Sequence, residues 1–557
     1  MTAHESANYI PSVATYAFAG GDMATTTNVV NLDGMIRRAD LAAPGETGED
    51  VPALSIPQLE RTGFLYPALR KPDFQRETAH WSPDQVADLI ATFARRDLIP
   101  AVILWRAGQN VFVIDGAHRL SALIAWVHDD YGDKEISRKF FQDIPDDQIE
   151  AAEQTRELVK VSAGSYRDHK LALEYPDKVE ARIAAQATRI GWQNIPAQWI
   201  QTHDPQRAEK SFFRINQGGT KIDPTERRIL VARQSATALA ARAILRAGGG
   251  HSYWDKFSGS IQREIEQLGG AIYDLMFEPA LSLPHKTLDV AVAGHGYGPH
   301  VLPLLFDLVN LVNDVNVPDS SNKRVTSDEV LKEDVDGTRT IRFLKKTRDM
   351  IQRICSNDPS SLGLHPALYF YTPTGVFQPA ALLSFVALFN EFSTPDFIRF
   401  TRVRAKFEEF LLENRNITEA VRKLGSGSRS RPRLIALYKI LMEKFEEGVT
   451  PAEAFKSLGN IPEFHFLFAA MLDESTGTLV QQLYKGKGLK GKKFDRDTKG
   501  AAYLRDALPT APKCACGGFL HRNGMQTGHI KHRRDGGSGS LANAQLQHPF
   551  CNSTVNQ

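Results

Sequence analysis

The sequence predicts a multidomain α+β protein with a mixed α/β N-terminal domain, a mainly α-helical middle and a small zinc-stabilised C-terminal domain. Three observations carry this reading. Between residues 52 and 230 hydrophobic periods of two and of 3.6 residues alternate, from 231 to 480 the helical period dominates, and three of the four cysteines fall in the last 44 residues. At 557 residues, 42% hydrophobic and 24% charged, the chain has length for several cores and a globular rather than disordered or fibrous composition.

Taken in order, residues 1–50 read as an irregular arm and 51–230 as the mixed domain. Ser82, Pro83 and Gln85 form a capping box ahead of Val86, Leu89, Ile90 and Phe93 at helical spacing. Residues 101–105 and 111–114 flank a polar turn at 108–110 and read as a hairpin, and after Asp115-Gly116 the apolar positions Leu120, Leu123, Ile124 and Val127 mark a helix. Phe212, Phe213 and Ile215 lead into a Gln217-Gly218-Gly219 turn, and Asp223, Pro224 and Glu226 cap a helix expected to continue through Ala236.

Residues 231–480 read as the helical domain, with helices at 397–412 and 434–445, a flexible basic loop at 425–432, and His295, Tyr297 and His300 in a glycine-rich turn, as loop or packing residues with ligation as the alternative. Residues 481–500 read as a basic linker and 501–557 as the last domain. The most apolar stretch, 379–389, is too short to span a bilayer, and the first residues do not read as a secretory signal. A cytoplasmic site with no membrane partner is expected, and a homo-oligomer is compatible with the sequence.

Net charge is +2, but residues 481–557 hold 13 Lys/Arg against 4 Asp/Glu, while the rest holds 54 against 61. A basic end on a mildly acidic body points to DNA as partner of that end. Cys514 and Cys516 with His548 and Cys551 supply four ligands for a closed tetrahedral zinc site, with His521 as an alternative ligand. Between the two pairs lie His529-Ile530, a basic stretch, Gly536-Gly537 and Asn543. Phosphodiester hydrolysis needs a base for water, a divalent cation and a polar group that orients the base, and these residue types supply such a set. Lys531, Arg533 and Arg534 would follow the nucleic-acid backbone.

This segment resembles an HNH endonuclease of the ββα-metal family over about 45 residues. The resemblance implies His529 as general base, Asn543 as support of the base or the metal, and Asn552 at the third position. Gly528 stands where the family often has a magnesium-binding Asp, and His532 stands where Pro is common. His532 or Asn552 is therefore expected to help hold a catalytic Mg²⁺ or Mn²⁺ ion.

In the N-terminal part, Asp115-Gly116-Ala117-His118-Arg119 sits between a strand and a helix start, where open backbone amides and the helix dipole favour an anion. With Gln75-Arg76, Trp81, Phe213 to Asn216, Gly218, Gly219 and Glu226, it resembles the ParB/sulfiredoxin-like N-terminal domain of GmrSD-type restriction systems and the related DGQHR family. That resemblance implies a sensor of nucleotide or modified DNA, with Gln75, Arg76, Asp115, Gly116, His118, Arg119 and Asn216 around a nucleoside triphosphate or the DNA backbone, and NTP hydrolysis as an accompanying activity. Ala117 departs from the family's Gln. The expected whole is a metal-dependent DNA endonuclease in anti-phage defence. The alternative is a DNA-binding regulator that senses a ligand and does not cut.

Overall fold

The structure, a computed structural model, describes residues 29–39, 50–72, 81–141, 144–202, 204–218, 224–249, 253–315, 332–418, 427–464, 494 and 496–555. Its N-terminal part is built on a six-stranded mixed sheet: β1 (Arg38–Ala39), β2 (Ala53–Ser55), β3 (Leu69–Pro72), β4 (Val102–Ala107), β5 (Asn110–Asp115) and β6 (Asn194–Trp199), in the order β1-β3-β5-β4-β6-β2. β1, β3 and β5 run parallel, so their C-terminal ends open on the same side; β4 returns antiparallel to β5 as the expected hairpin.

Alternating side chains give this sheet two buried faces. On one, Leu104, Val111 and Val113 pack with α1 (Pro83–Arg95) and α2 (Ala117–His128). On the other, Trp105, Phe112 and Ile114 pack against Ala208 and Phe212 of the helix Pro205–Gly218. The Ser82 capping box starts α1 as the sequence predicts, with Gln85 N–H donating to Ser82 Oγ at 3.3 Å.

The middle is helical, with Thr394–Glu413 covering 397–412 and Gly427–Glu446 covering 434–445. Four expectations need correction. Gln217 and Gly218 still belong to the helix Pro205–Gly218 rather than to a turn. The helix Pro224–Val231 stops before Ala236, because Ser235 caps a new helix, Ala236–Leu245, through Ala238 N–H. The segment read as a flexible basic loop is helical from Gly427 onward, Ser430 is buried, and burial pulls the Arg431 guanidinium below its usual range. The Ser/Arg composition was misleading, since tertiary packing overrides local propensity there. The expected linker is likewise helical over its last residues, within Arg496–Ala507.

One apolar cluster runs from Ile229 through the helices to Phe519 and Phe550, so the C-terminal module shares a core with the helical part. The module itself carries the antiparallel pair β7 (Gln526–His529) and β8 (Ala544–Gln547), in the register Gln526↔Gln547 to His529↔Ala544. None of the described helices is long and apolar enough to cross a membrane.

Candidate metal centre and hydrolytic site

The cysteine turn is shaped by backbone bonds before any ligand chemistry. Cys514 N–H donates to Gly518 C=O at 2.9 Å, Gly517 N–H to Cys514 C=O at 2.8 Å, and Gly517 takes φ +84°, a conformation suited to glycine. This aims Cys514 and Cys516 at His548 and Cys551, which lead into the final helical turn. One ligand atom from each of the four lies within 4.8 Å of all the others. His548 Nδ1 is 3.4 Å from Cys516 Sγ and 3.8 Å from Cys551 Sγ, while its Nε2 donates to Phe519 C=O at 3.0 Å. That outer bond fixes the tautomer that leaves Nδ1 free to ligate. The three thiols share one charge: hydrogen bonds from Cys516 and then Cys551 hold the Cys514 thiol below its usual range, while the same contacts with Cys514 push Cys516 and Cys551 up. The set could hold a metal ion such as zinc, and it is the expected one.

His521 is not part of it. Its ring packs against His365 at 5.3 Å, its Nδ1 accepts Asn523 N–H at 3.3 Å and lies 3.7 Å from the buried Cys355 sulfur, and burial pulls its pKa down to about 4.

The helical part grips this knuckle through one buried ion pair that sequence reading missed. Arg404 and Glu408, both fully buried in the helix Thr394–Glu413, pair at 2.6 Å. Glu408 also accepts Tyr369 O–H at 2.8 Å and the Phe519 backbone N–H, while Arg404 donates to the carbonyls of Leu362 and Gly363. Burial alone would lower the Arg404 pKa, but Glu408, Tyr369 and Cys516 raise it, so the guanidinium stays charged. Gly518 must lack a side chain, because a Cβ there would lie 2.5 Å from Arg404 Nε. The available signal was an i,i+4 charged pair on a stripe otherwise made of Phe400, Val403, Phe407 and Phe410.

Beyond the knuckle, β7 ends at His529, half-buried, with Arg533 Nε donating to His529 Nε2 at 3.4 Å. The loop after it is closed by Asn543. Its Nδ2 donates to Lys531 C=O at 3.0 Å and Ser538 C=O at 2.7 Å, and its Oδ1 accepts Lys531 N–H at 2.7 Å. Asn543 thus organises the loop that carries the cations, and its carboxamide is engaged there rather than on His529. His532, half-buried, uses its carbonyl to accept Asp535 and Gly537 N–H at 3.0 and 2.9 Å. The Gly-Gly pair is a steric requirement: Gly536 has φ +81°, and a Cβ on Gly537 would lie 1.8 Å from Lys531 C=O. Asn552 lies beside β7, its Nδ2 donating to Gln526 Oε1 at 3.1 Å.

In the N-terminal part, β5 passes through Gly116 into α2. Gly116 has φ +89°, and a Cβ would meet Val102 Cγ1 at 2.7 Å and Arg119 NH2 at 2.9 Å. Arg119 pairs with Asp115 at 2.7 Å, both partly exposed, and the His118 ring lies 5.5 Å from Trp81. The structure therefore brings Asp115, Gly116, His118 and Arg119 together where parallel strands end, a position that favours ligands in α/β sheets. Gln75 and Arg76 lie outside the described residues, as does the side chain of Asn216, whose backbone is in the helix Pro205–Gly218.

The glycine-rich turn of the helical part has a defined partner. Tyr297 O–H donates to Val29 C=O at 2.6 Å and bonds Gln148, and His295 Nδ1 lies 3.0 Å from Asp147 of the helix Asp146–Ser162. Nearby, Arg246 reaches Asp33 at 2.9 Å; the same buried carboxylate is paired with Arg38 and Lys71 at 2.8 and 2.6 Å.

A mixed sheet covered by helices, with a strand–glycine–helix turn at its parallel end, defines an α/β domain whose rim carries Asp115 and Arg119. Residues 58–232 match the family description "GmrSD restriction endonuclease, N-terminal domain", and this stretch is a GmrSD-type N-terminal domain. No curated protein and no solved structure matches the chain.

Proposed function

We propose that the protein is a DNA endonuclease of a restriction-type phage-defence system, working in the cytoplasm, in which the N-terminal domain senses nucleotide or modified DNA and the C-terminal HNH-type module cuts. The observation that carries this is His529, presented at the end of β7 on a cation-rich loop that Asn543 holds in shape. DNA is the substrate that such a family and such charge suggest.

His529 Nε2 is the lone pair that would take a proton from water, and Arg533 faces it. A phosphate that pairs with Arg533 draws the guanidinium away and frees that nitrogen, so substrate binding and base activation become one event. Lys531 and Arg534 position the backbone. The knuckle holds zinc in a structural role. The donors around β7 do not fit a resident Mg²⁺ or Mn²⁺ ion, since the oxygens nearest Gly528 are neutral carboxamides.

At the N-terminal rim, the amides of α2 and Arg119 would receive the phosphates of a nucleoside triphosphate, with Asp115 holding Arg119 in place until then. Phosphate release from ATP, GTP and CTP that is equal in wild type and Arg119→Ala would remove this site. For the cutting module, His529→Ala should abolish plasmid nicking while zinc content and fold persist; undiminished nicking by the variant would defeat the assignment. The carboxamides beside Gly528 favour a second reading, a DNA-binding regulator that does not cut. Wild-type protein that binds duplex and nicks none with any divalent ion would decide for it.

A further inference from the structure

One corner of the N-terminal sheet carries side chains that folding alone does not explain. β4 and β6 run parallel in the register Val102↔Ala197, and β5 returns against β4 with Asp115 opposite Ile103. The N-terminal ends of β4 and β6 therefore lie on the same sheet edge as the Asp115–Arg119 turn, with β6 two strand spacings, about 10 Å, from β5. α1 and the helix Ala181–Ile190 touch, and each ends just before one of these strands, so the short connections 96–101 and 191–193 emerge on that edge beside each other.

These connections present Leu98 at 93% exposure and Trp192 at 82%. An indole left in water contributes nothing to the core. Arg96 ends α1 in the left-handed region, at φ +66°, where glycine is the usual residue. Neither its guanidinium nor that of Arg189 has a hydrogen-bond or ion-pair partner among the described residues. The helix dipole favours a cation at a helix C-terminus, which accounts for Arg95 and Arg189 but not for a strained arginine where glycine would serve. Residues 89–105 and 181–200 together hold four arginines and one acidic residue, Asp97, which pairs with Arg95 at 2.9 Å. On a body that is mildly acidic as a whole, the corner is locally cationic.

Resting on the reading of this domain as a sensor of DNA, we propose that the corner receives DNA that offers an unpaired base. The Trp192 indole stacks on that base, Leu98 packs against its sugar, and Arg96 and Arg189 take the flanking phosphates. Stacking needs an open base face; neighbours in a duplex cover it, whereas a single strand or an extruded nucleotide leaves it free. An aromatic ring set between unpaired cations is the pattern that strand-binding surfaces use. The apolar area of two side chains is far below what a stable protein interface buries, so a protein partner fits the corner less well.

The test reads stacking rather than cutting. Full-length His529→Ala protein, zinc-loaded and without added divalent ion, is titrated with oligonucleotides carrying one 2-aminopurine: a single strand, a duplex with that base opposite an abasic site, and a fully paired duplex. Quenching of 2-aminopurine reports stacking, so DNA held by the basic C-terminal module through its phosphates does not contribute. The single strand and the duplex with the unpaired base should be quenched, and the paired duplex should bind in this readout about tenfold more weakly or worse. Trp192→Ala should lose about tenfold in the affinity so measured, and Trp192→Phe should recover it to within about threefold. Arg96→Gly should weaken binding and reduce the slope of log affinity against log salt for the single strand by about 0.7. The same variant should unfold at an equal or higher temperature than its parent, because glycine relieves the left-handed turn. Quenching unchanged in both Trp192→Ala and Arg96→Gly would overturn the proposal. So would a change of oligomeric state in Trp192→Ala with DNA binding unaltered, which would make the corner a contact between copies of the chain. Failure of the sensing reading is separable: the corner would then bind as described, and His529-intact Trp192→Ala protein would nick plasmid as wild type does.

Discussion

Asn543 commits its whole carboxamide to the loop between Lys531 and Ser538, and this sets the most local prediction. Asn543→Asp keeps the size of the side chain but removes both donated bonds and turns a negative oxygen toward two carbonyls. At about 0.5–1.5 kcal/mol per bond, the loop should lose its fixed shape while the buried knuckle stays intact. The expected outcome is a fall in nicking of at least a hundredfold with full zinc content. Loss of zinc together with activity would show instead that Asn543 supports the whole module. The residue was visible in the sequence because the chemistry of a tight turn is local: glycines at Gly536 and Gly537 and an Asn that can bond both backbone polarities are a short-range pattern. Its partners were not visible. The sequence reading put Asn543 on the base or the metal, whereas its side chain bonds the backbone of its own loop.

At the scale of elements, the knuckle depends on the helix Thr394–Glu413 as much as on its own cysteines. Glu408→Gln leaves the Arg404 guanidinium buried without its counter-charge, a change worth about 3–5 kcal/mol in comparable buried pairs. Because Glu408 holds Phe519, whose carbonyl orients His548, the variant should also release zinc to a chelator about 10–100-fold faster, read with a colorimetric metal indicator. Unchanged release alongside lowered stability would confine the pair to packing. The same junction should be acid-sensitive. His521 is held at about 4 by burial against a usual 6.5, so between those values the unfolded chain binds more protons than the folded one, and stability falls as pH drops from 6.5 toward 4. The loss attributable to His521 is about 3 kcal/mol, and His365, held well below its usual range by burial and then by His521, adds to it. Urea midpoints for wild type and His521→Asn should converge toward pH 4.5. Parallel curves would exclude His521 as the source. Cysteine spacing pointed to the Cys/His cluster that could hold a metal because coordination constrains such spacing, but Glu408 and Phe519, like His365 and His521, are more than a hundred positions apart, and no local period encodes their contacts.

For the whole molecule, the question is how the N-terminal domain could influence a module at the other end of the chain. The packing offers a route with two joints: the shared core with the Arg404–Glu408 pair at one, and at the other Asp33, buried against Arg38, Lys71 and, from the helical part, Arg246. Tyr297, bonded to Val29 and Gln148, closes the second joint, a role that its glycine-rich setting did not disclose. Asp33→Asn leaves three buried cations around a neutral group and should cost on the order of 3 kcal/mol in global stability. Arg246→Met keeps the aliphatic stem and removes the ion pair with Asp33 together with the guanidinium's stacking on Phe140 and Phe141, so it should cost less overall. Its mark should be local: faster amide hydrogen exchange in residues 29–36 and 294–297, with the knuckle as protected as in wild type. If sensing at the rim of β5 and α2 reaches His529 through this joint, Arg246→Met should also nick plasmid at one rate with and without nucleotide, whereas wild type responds to it. A variant that exchanges faster at the joint yet keeps the nucleotide response would mean that the signal travels through DNA held by both ends rather than through the protein.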